Sequence, residues 1–198
     1  MEEKTPLILT RKFDEALVFA VELHRKQPRK GTGVPYVSHL LSVAALVLEH
    51  GGTEEQAIAA LLHDAVEDQG GRPTADAIRA RFGDLVADIV EGCTDTDVLP
   101  KPPWRARKEA YVARVRQEPD HVRLVSAADK LHNARTMVTD LRIHGPVLWN
   151  RFNASRDETL WYLGALVEAF REAGTAPIVE ELARTVAELE VVSGNGRA

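Results

Sequence analysis

The chain of 198 residues is long enough for one domain with its own hydrophobic core and short for two. Its formal net charge of -5, with 44% apolar and 28% charged residues, is that of an ordinary globular protein and argues against general nucleic-acid binding, which needs a broad basic surface. The N-terminus lacks a signal-peptide pattern, no apolar stretch is long enough to span a membrane, and a single cysteine agrees with a reducing compartment, so we expect a cytoplasmic protein.

Apolar residues recur at helical spacing along nearly the whole chain, and glycines, prolines and capping residues mark the helix ends. The predicted helices, in chain order, cover about 13–27, 37–50, 53–69, 74–83, 84–93, 104–117, 120–141, 156–173 and 177–190. A capping-box pattern of Thr53 with Gln56 opens the third helix, and Thr74 is predicted to cap the fourth. The proline-containing segment 94–103 is predicted to be irregular.

Strand-like alternation, repeats and low-complexity segments are all missing from this pattern. The sequence therefore predicts an all-α fold, a single compact bundle of several non-parallel helices. We expect one domain over 1–198, with its core at about 10–173, a C-terminal helix at about 177–190 and a frayed tail at 193–198.

The third predicted helix changes from apolar to ionisable half-way along its length. Residues 57–62 are apolar on every side, so this half is expected to be buried all round. His63, Asp64, Glu67 and Asp68 follow and, at about 100° per residue, face a common arc. Burying three carboxylates and an imidazole together is costly unless a cation compensates, so the segment predicts a metal site. The alternative is an exposed helix end with a chance cluster of charges.

Two other helices carry polar residues in comparable apolar surroundings. His39 stands at the start of the second helix, and Asp129 follows the apolar run 124–128. Asn133 and Thr136 are spaced to share the face of Asp129. Taken singly, His39 is more typical of a helix-start histidine, and Asp129 of a partner to a buried arginine. Together they predict one polar pocket between facing helices, where metal sites of helical bundles lie.

Such a site has two imidazole nitrogens, two carboxylate oxygens and no sulfur, a donor set that suits manganese, iron, zinc or cobalt. Four protein ligands leave room for water only if the coordination number exceeds four, which favours manganese or iron over a closed zinc site. The ion can activate water and polarise a phosphoryl oxygen. Glu67 and Asp68 lie one turn further on, placed either to move protons in that reaction or simply to be solvated at a helix end.

His39, the pair His63-Asp64 and Asp129 together resemble the pattern of the HD-domain phosphohydrolases. The closer resemblance is to the hydrolase domain of the RelA/SpoT-homologue family, especially its small alarmone hydrolases. It extends over about two thirds of the chain, through the segments 29–30, 35–39, 59–68, 82–83, 90–92 and 128–136. The resemblance implies an all-α fold, a manganese ion, and hydrolysis of the 3′-pyrophosphate of (p)ppGpp, the alarmone of the stringent response, to GTP or GDP and pyrophosphate.

The resemblance also implies roles for particular residues. The implied metal ligands are His39, His63, Asp64 and Asp129, and the implied catalytic pair is Glu67 and Asp68. The implied substrate contacts are Arg29 and Lys30 for the guanosine, Asn133 and Thr136 for the sugar and phosphate, Lys101 for the pyrophosphate and, more loosely, Arg107 and Lys108. The loop 31–34 is one residue longer than in the long bifunctional enzymes, and this departure bears on guanine specificity. We expect hydrolysis only, since 198 residues leave no room for a synthetase or regulatory domain.

Two other functions are compatible with the same residues. One is an HD hydrolase that acts on another small phosphorylated nucleotide, such as a nucleoside monophosphate, a 3′-phosphonucleotide or NADPH, through a different base pocket. The other is a catalytically silent helical module that senses a nucleotide. The presence of both Glu67 and Asp68 counts against the sensor. No feature of the sequence indicates an oligomeric state.

Overall fold

The computed structural model describes residues 6–96 and 100–194. Their regular structure is helical, with a single isolated bridge between Pro28 and Pro35 and no β-strand in these two ranges. The α-helices are α1 (Arg11–His24), α2 (Val37–Glu49), α3 (Glu54–Leu62), α4 (Ala65–Asp68), α5 (Arg72–Phe82), α6 (Asp84–Cys93), α7 (Trp104–Val115), α8 (Asp120–His144), α9 (Arg156–Ala173) and α10 (Pro177–Gly194). A 3₁₀ helix, Gly145–Arg151, joins α8 to α9. The predicted all-α fold is confirmed.

Helix α3 is the central helix of the bundle and packs against α1, α2, α6 and α8. Every residue from Gln56 to Leu62 is buried, as the apolar pattern predicts. The predicted capping box is present: the Thr53 hydroxyl accepts from the backbone N–H of Gln56, and the Gln56 side chain accepts from the backbone N–H of Thr53 at 2.8 Å. These bonds satisfy two of the backbone donors that have no intrahelical partner at a helix start.

The third predicted helix is not continuous, and this expectation is wrong. Helix α3 ends at Leu62 and α4 begins at Ala65, with His63 and Asp64 between them. The His63 Nδ1 atom lies 2.8 Å from the carbonyl oxygen of Ala60. That carbonyl is the acceptor that the backbone N–H of Asp64 would use in a continuous helix, so the imidazole competes with the helical ladder. Glu67 and Asp68 therefore belong to a separate short helix.

Several predicted helix boundaries also differ from the structure, and α1 ends at His24 rather than at 27. Helix α5 begins at Arg72, and Thr74 lies inside it with its hydroxyl donating to the Gln69 carbonyl, so the predicted Thr74 cap is wrong. Helix α8 extends to His144 rather than to 141. Helix α10 extends to Gly194, which places 193 and 194 of the predicted frayed tail in a helix. The remainder of that predicted tail, 195–198, lies outside the described residues.

The contacts among helices decide which predicted site residues can meet. Helices α2, α3 and α8 pack against one another in all three pairs, while α10 covers α8 and α9, and α7 packs on α9. The three mutually packed helices carry or adjoin His39, His63 and Asp129. Within the described ranges, no helix combines the length and the apolar character needed to cross a membrane.

Candidate active site

The predicted ligand residues come together where α2, α3 and α8 meet. Single donor atoms of His39, His63 and Asp129 all lie within 4.8 Å of one another, and all three residues are buried. The Nε2 atom of His39 lies 3.2 Å from Asp129 Oδ1 and 3.5 Å from Asp64 Oδ2. The Nε2 atom of His63 lies 3.0 Å from Asp64 Oδ2. The structure therefore brings the four predicted ligands into one cluster, hereafter the His–Asp cluster (His39, His63, Asp64 and Asp129).

In both His39 and His63 the Nδ1 atom contacts a neighbouring group, and the Nε2 atom is directed at the carboxylates. Nδ1 of His63 donates to the Ala60 carbonyl at 2.8 Å, which requires its proton on Nδ1. Nδ1 of His39 lies 2.7 Å from Nδ1 of His132. Both Nε2 atoms are buried and have no hydrogen-bond partner among the described residues. A ligating histidine has this arrangement, with one nitrogen fixed by an outer partner and the other free for a metal.

The charges in the cluster are coupled. Burial alone would lower the pKa of His63, but the Asp64 and Asp129 carboxylates raise that pKa well above its usual range. Burial alone would raise the pKa of Asp64, yet His63 and His39 hold it well below the ordinary aspartate range. Asp129 behaves in the same way, with Lys130 as the largest opposing influence on its pKa. Without a metal, the buried carboxylates thus draw a proton onto His63.

These residues fit a divalent metal ion. Two buried Nε2 atoms lack hydrogen-bond partners, and carboxylate oxygens of Asp64 and Asp129 lie 3.0–3.7 Å from them. The donor set contains nitrogen and oxygen and no sulfur, as first-row divalent ions accept. An ion among these atoms would replace the proton on His63 as the compensation for two buried carboxylates. The cluster can therefore hold a divalent metal.

A hydrogen-bonded wall lies beside Asp64. The Tyr36 hydroxyl donates to Asp64 Oδ2 at 2.5 Å, and the Tyr36 ring stacks on His24 with centroids 5.1 Å apart. His24 is buried, and its Nδ1 atom lies 2.7 Å from Oε1 of Gln27. Gln27 in turn donates from Nε2 to Asp68 Oδ2 at 2.8 Å. This chain of contacts links the orientation of Asp64 and that of Asp68 to α1.

The two residues of the predicted catalytic pair on α4 accept hydrogen bonds from different neighbours. Glu67 accepts from the Nζ atom of Lys101 at 2.8 Å, with Glu67 partly buried and Lys101 more exposed. Asp68 is exposed and accepts from Gln27. Although Asp68 as a whole is exposed, partial desolvation of its carboxyl group and the nearby Asp64 carboxylate raise its pKa, while the Gln27 hydrogen bond lowers it. The structure thus brings the predicted pyrophosphate contact Lys101 onto Glu67.

A cavity of about 460 Å³ extends from this region and is lined by most of the predicted substrate contacts. Arg29, Lys30, Asn133 and Thr136 line it together with Asp68. Arg29 donates from Nη2 to Asn133 Oδ1 at 2.7 Å, and Asn133 donates from Nδ2 to Asp129 Oδ1 at 2.5 Å. The cavity wall is therefore joined to the His–Asp cluster by direct hydrogen bonds.

Three of the predicted substrate contacts do not line this cavity: Lys101, which pairs with Glu67, and the two cations Arg107 and Lys108. Arg107 and Lys108 both donate to Oδ2 of Asp95. The side chains are mostly buried, with 7% of Asp95 and 17% of Lys108 exposed. The pairing ties the start of α7 to the segment after α6. In this structure the two cations neutralise a buried carboxylate.

Several residues of the site were not singled out from the sequence. They are His24, Gln27, Tyr36, Lys130 and His132. A signal existed for His132, because it lies three residues after Asp129 and so shares that helical face. A signal existed also for His24, which occupies an apolar-periodic position of α1 and is buried. Gln27 and Lys130 carry no comparable signal, since their contacts depend on how the helices pack.

A family model described as an HD domain matches residues 16–160. The guanosine-3′,5′-bis(diphosphate) 3′-pyrophosphohydrolase MESH1 of Xenopus tropicalis is 36% identical over 169 residues, which cover 84% of this chain and 87% of that protein. A guanosine-3′,5′-bis(diphosphate) 3′-pyrophosphohydrolase of Aquifex aeolicus is 38% identical over 122 residues, but this chain spans only 17% of its length.

A solved structure is similar over nearly its whole length. It is described as a metazoan ortholog of SpoT that hydrolyses ppGpp and plays a role in starvation responses. The superposition has a TM-score of 0.75 at 27% sequence identity and covers 91% of this chain and 96% of that one. The similarity therefore extends over most of the fold.

Proposed function

This chain belongs to the HD domain family, among the relatives of the MESH1 pyrophosphohydrolases, and we propose that it removes the 3′-pyrophosphate of guanosine 3′,5′-bis(diphosphate) by metal-dependent hydrolysis. The observation that carries the proposal is the hydrogen-bonded path from Arg29 through Asn133 to Asp129. A nucleotide held by Arg29 and Asn133 has its sugar beside the His–Asp cluster. Its 3′ substituent then lies at the cluster.

We propose that His39, His63, Asp64 and Asp129 hold the metal ion, and that the ion is manganese. A nitrogen and oxygen donor set with four protein ligands favours an ion that accepts more than four ligands. When bound, the ion polarises the phosphoryl group and lowers the pKa of a water molecule. The His63 and His39 hydrogen bonds through Nδ1 keep both Nε2 atoms directed at the site before the ion arrives.

The cavity residues bind and neutralise the nucleotide. The Arg29 guanidinium is planar, lies 5.6 Å from the centre of the Tyr36 ring, and can stack on a base or grip a phosphate. Lys30 adds a second cation, and Asn133 and Thr136 offer polar groups to the sugar and phosphate. Lys101 can leave Glu67 for the pyrophosphate, because both groups are partly solvated and their pairing is weak. The proposed partner is thus a small anionic nucleotide.

The acidic pair moves the protons of the reaction. Hydrolysis joins the oxygen of water to phosphorus and breaks the bond between phosphorus and the ribose O3′, so a proton must leave the water and another must reach O3′. We assign the first transfer to Glu67 as acceptor and the second to Asp68 as donor. Asp68 suits the donor role because it lines the nucleotide cavity, and because partial desolvation and the Asp64 carboxylate raise its pKa.

The test is hydrolysis of guanosine 3′,5′-bis(diphosphate) by the purified protein with manganese. We expect GDP and pyrophosphate in equal amounts. Glu67→Gln and Asp68→Asn should each lower kcat by roughly 10²- to 10⁴-fold while metal binding persists. Glu109→Gln is a matched control, since Glu109 pairs with Arg105 on the exposed side of α7 and should leave kcat unchanged.

Other products or substrates would contradict the proposal in distinct ways. Release of orthophosphate from this substrate, or efficient cleavage of NADPH or a nucleoside monophosphate in its place, would indicate an HD hydrolase of another specificity. Binding of the nucleotide without turnover of any substrate, and without metal, would indicate a sensor. Asp64→Ala is expected to abolish both metal binding and turnover of the enzyme. A sensor has neither activity in the unaltered protein, so the same substitution would change neither measurement.

A further inference from the structure

An ion pair closes the end of the nucleotide cavity that lies away from the His–Asp cluster. Arg151 Nη1 lies 3.0 Å from Asp140 Oδ2, and both side chains line the cavity. The two side chains are about four-fifths buried, with exposed fractions of 20% for Arg151 and 22% for Asp140. Neither residue belongs to the predicted substrate contacts. A largely desolvated pair of charges in a nucleotide cavity can recognise a polar base.

The position of Arg151 depends on the loop that follows Arg29. Gly31 has φ of 71°, and a Cβ atom on it would lie 2.6 Å from Cδ of Arg151. The absence of a side chain at Gly31 thus lets the stem of Arg151 pack directly on the loop backbone. Lys30 adds a second attachment, with Nζ 3.0 Å from Asn153 Oδ1. The loop 31–34, which is one residue longer than in the long bifunctional enzymes, therefore holds Arg151 against Asp140.

The spacing along α8 matches the dimensions of a nucleoside. Asp129, Asn133, Thr136 and Asp140 follow one another at intervals of four, three and four residues, so they share one face of the helix. At 1.5 Å per residue, Asp140 lies about 10 Å along the axis from Asn133. That is about the distance from a ribose to the far edge of its purine. A nucleotide with its sugar at Asn133 would present the edge of its base to Asp140.

The chemistry of the pair complements guanine. The outer edge of guanine places the O6 acceptor beside two donors, N1–H and the N2 amine. A carboxylate only accepts hydrogen bonds, and a guanidinium only donates them. We propose that Asp140 accepts from N1–H and N2–H and that Arg151 donates to O6, so that the pair selects guanine. Adenine offers a lone pair at N1 and a donor at N6, which opposes both contacts. This inference rests on the proposed function, because it assumes a nucleotide in the cavity.

The experiment compares kcat/KM for the 3′,5′-bis(diphosphates) of guanosine, inosine and adenosine. Inosine keeps O6 and N1–H and lacks the N2 amine. Asp140→Asn should lower kcat/KM for guanosine by about 10- to 100-fold and for inosine by less, since a bidentate base contact has about this value. Arg151→Met should lower kcat/KM for guanosine and inosine equally, because both retain O6. Thr139→Ala, an exposed neighbour on α8, is the control and should change none of the three.

The outcomes separate this inference from the proposed function. An equal loss for all three bases in Asp140→Asn, with the fold intact by circular dichroism, would make the pair structural and overturn the inference. If the unaltered protein hydrolyses none of the three compounds, the proposed function fails. Calorimetric binding of GDP against ADP then decides the inference without turnover, since the unaltered protein should prefer GDP and Asp140→Asn should lose the preference. Equal binding of GDP and ADP by the unaltered protein would overturn it.

Discussion

The Nδ1 atoms of His39 and His132 lie 2.7 Å apart, although 93 residues separate the two histidines in the chain. Burial, helped by the nearby His39 and Arg29, lowers the pKa of His132 to about 4, so this ring is neutral near pH 7. When the Nε2 atom of His39 binds a metal, its Nδ1 atom carries the proton and donates to His132. His132 thereby fixes both the tautomer and the orientation of His39.

Replacement of His132 should therefore weaken metal binding. We expect His132→Leu to lower the affinity for manganese by about 10- to 100-fold, as loss of an outer partner of a metal-bound histidine does. His132→Asn should recover part of the affinity, because its Oδ1 atom can accept from Nδ1–H. Titration calorimetry of the metal-free protein measures this directly.

The control for that series is His121→Leu. His121 lies on the first turn of the same helix, about 12 Å along the axis from Asp129, and should leave the manganese affinity unchanged. Equal affinities for His132→Leu and the unaltered protein would show that His39 is oriented without His132.

Metal binding should release a proton and strengthen with pH. The carboxylates of Asp64 and Asp129 overcome the effect of burial and raise the pKa of His63, so the metal-free protein carries a proton there near neutral pH. A metal needs the neutral imidazole and must displace that proton. Calorimetry in buffers of different ionisation enthalpy should show proton release at about pH 7, and affinity should rise between about pH 6 and about pH 8. An affinity independent of pH over this interval would contradict the protonation of His63.

Removal of the Gln27 side-chain amide should raise the pKa of Asp68. Gln27 donates to Asp68 Oδ2, and this bond stabilises the ionised carboxylate against burial and the Asp64 charge. In Gln27→Met the pKa of Asp68 should increase, and the limb of the kcat/KM profile that reports Asp68 should move to higher pH. The carboxyl carbon shift of Asp68 in an NMR pH titration measures the pKa itself.

Gln69→Met is the matched control for this change. Gln69 donates to Gln27 and is not bonded to Asp68, so the Gln27–Asp68 hydrogen bond survives in that variant. A pKa of Asp68 that moves equally in both variants would mean that the shift comes from loosening of the loop and not from the lost hydrogen bond.

Loss of Asp95 should destabilise the fold. Its carboxylate accepts from Arg107 and Lys108, and all three side chains are mostly buried. Asp95→Ala leaves two cations without their partner, so the free energy of unfolding in urea should fall by about 3 kcal/mol. Asp76→Ala, which removes an exposed partner of Arg72, should cost little by comparison. If Asp95→Ala instead lost little stability and much substrate affinity, the result would support the prediction that Arg107 and Lys108 contact the substrate.

The sequence by itself determined the features that depend on local patterns. The capping box of Thr53 and Gln56 and the buried run that leads to His63 follow from residue type and helical spacing, which act within a few residues. The same holds for the shared face of Asp129 and Asn133 on α8. For this reason the helical fold and the grouping of polar residues on particular helices could be predicted.

Only the tertiary structure decided which of these residues touch. The contact between His39 and His132 and the packing of Arg151 on Gly31 join distant parts of the chain. The interruption of the helix at His63 depends on an imidazole that the cluster holds against the Ala60 carbonyl. Such contacts depend on how whole helices pack against one another, and helical spacing carries no information about distances between helices.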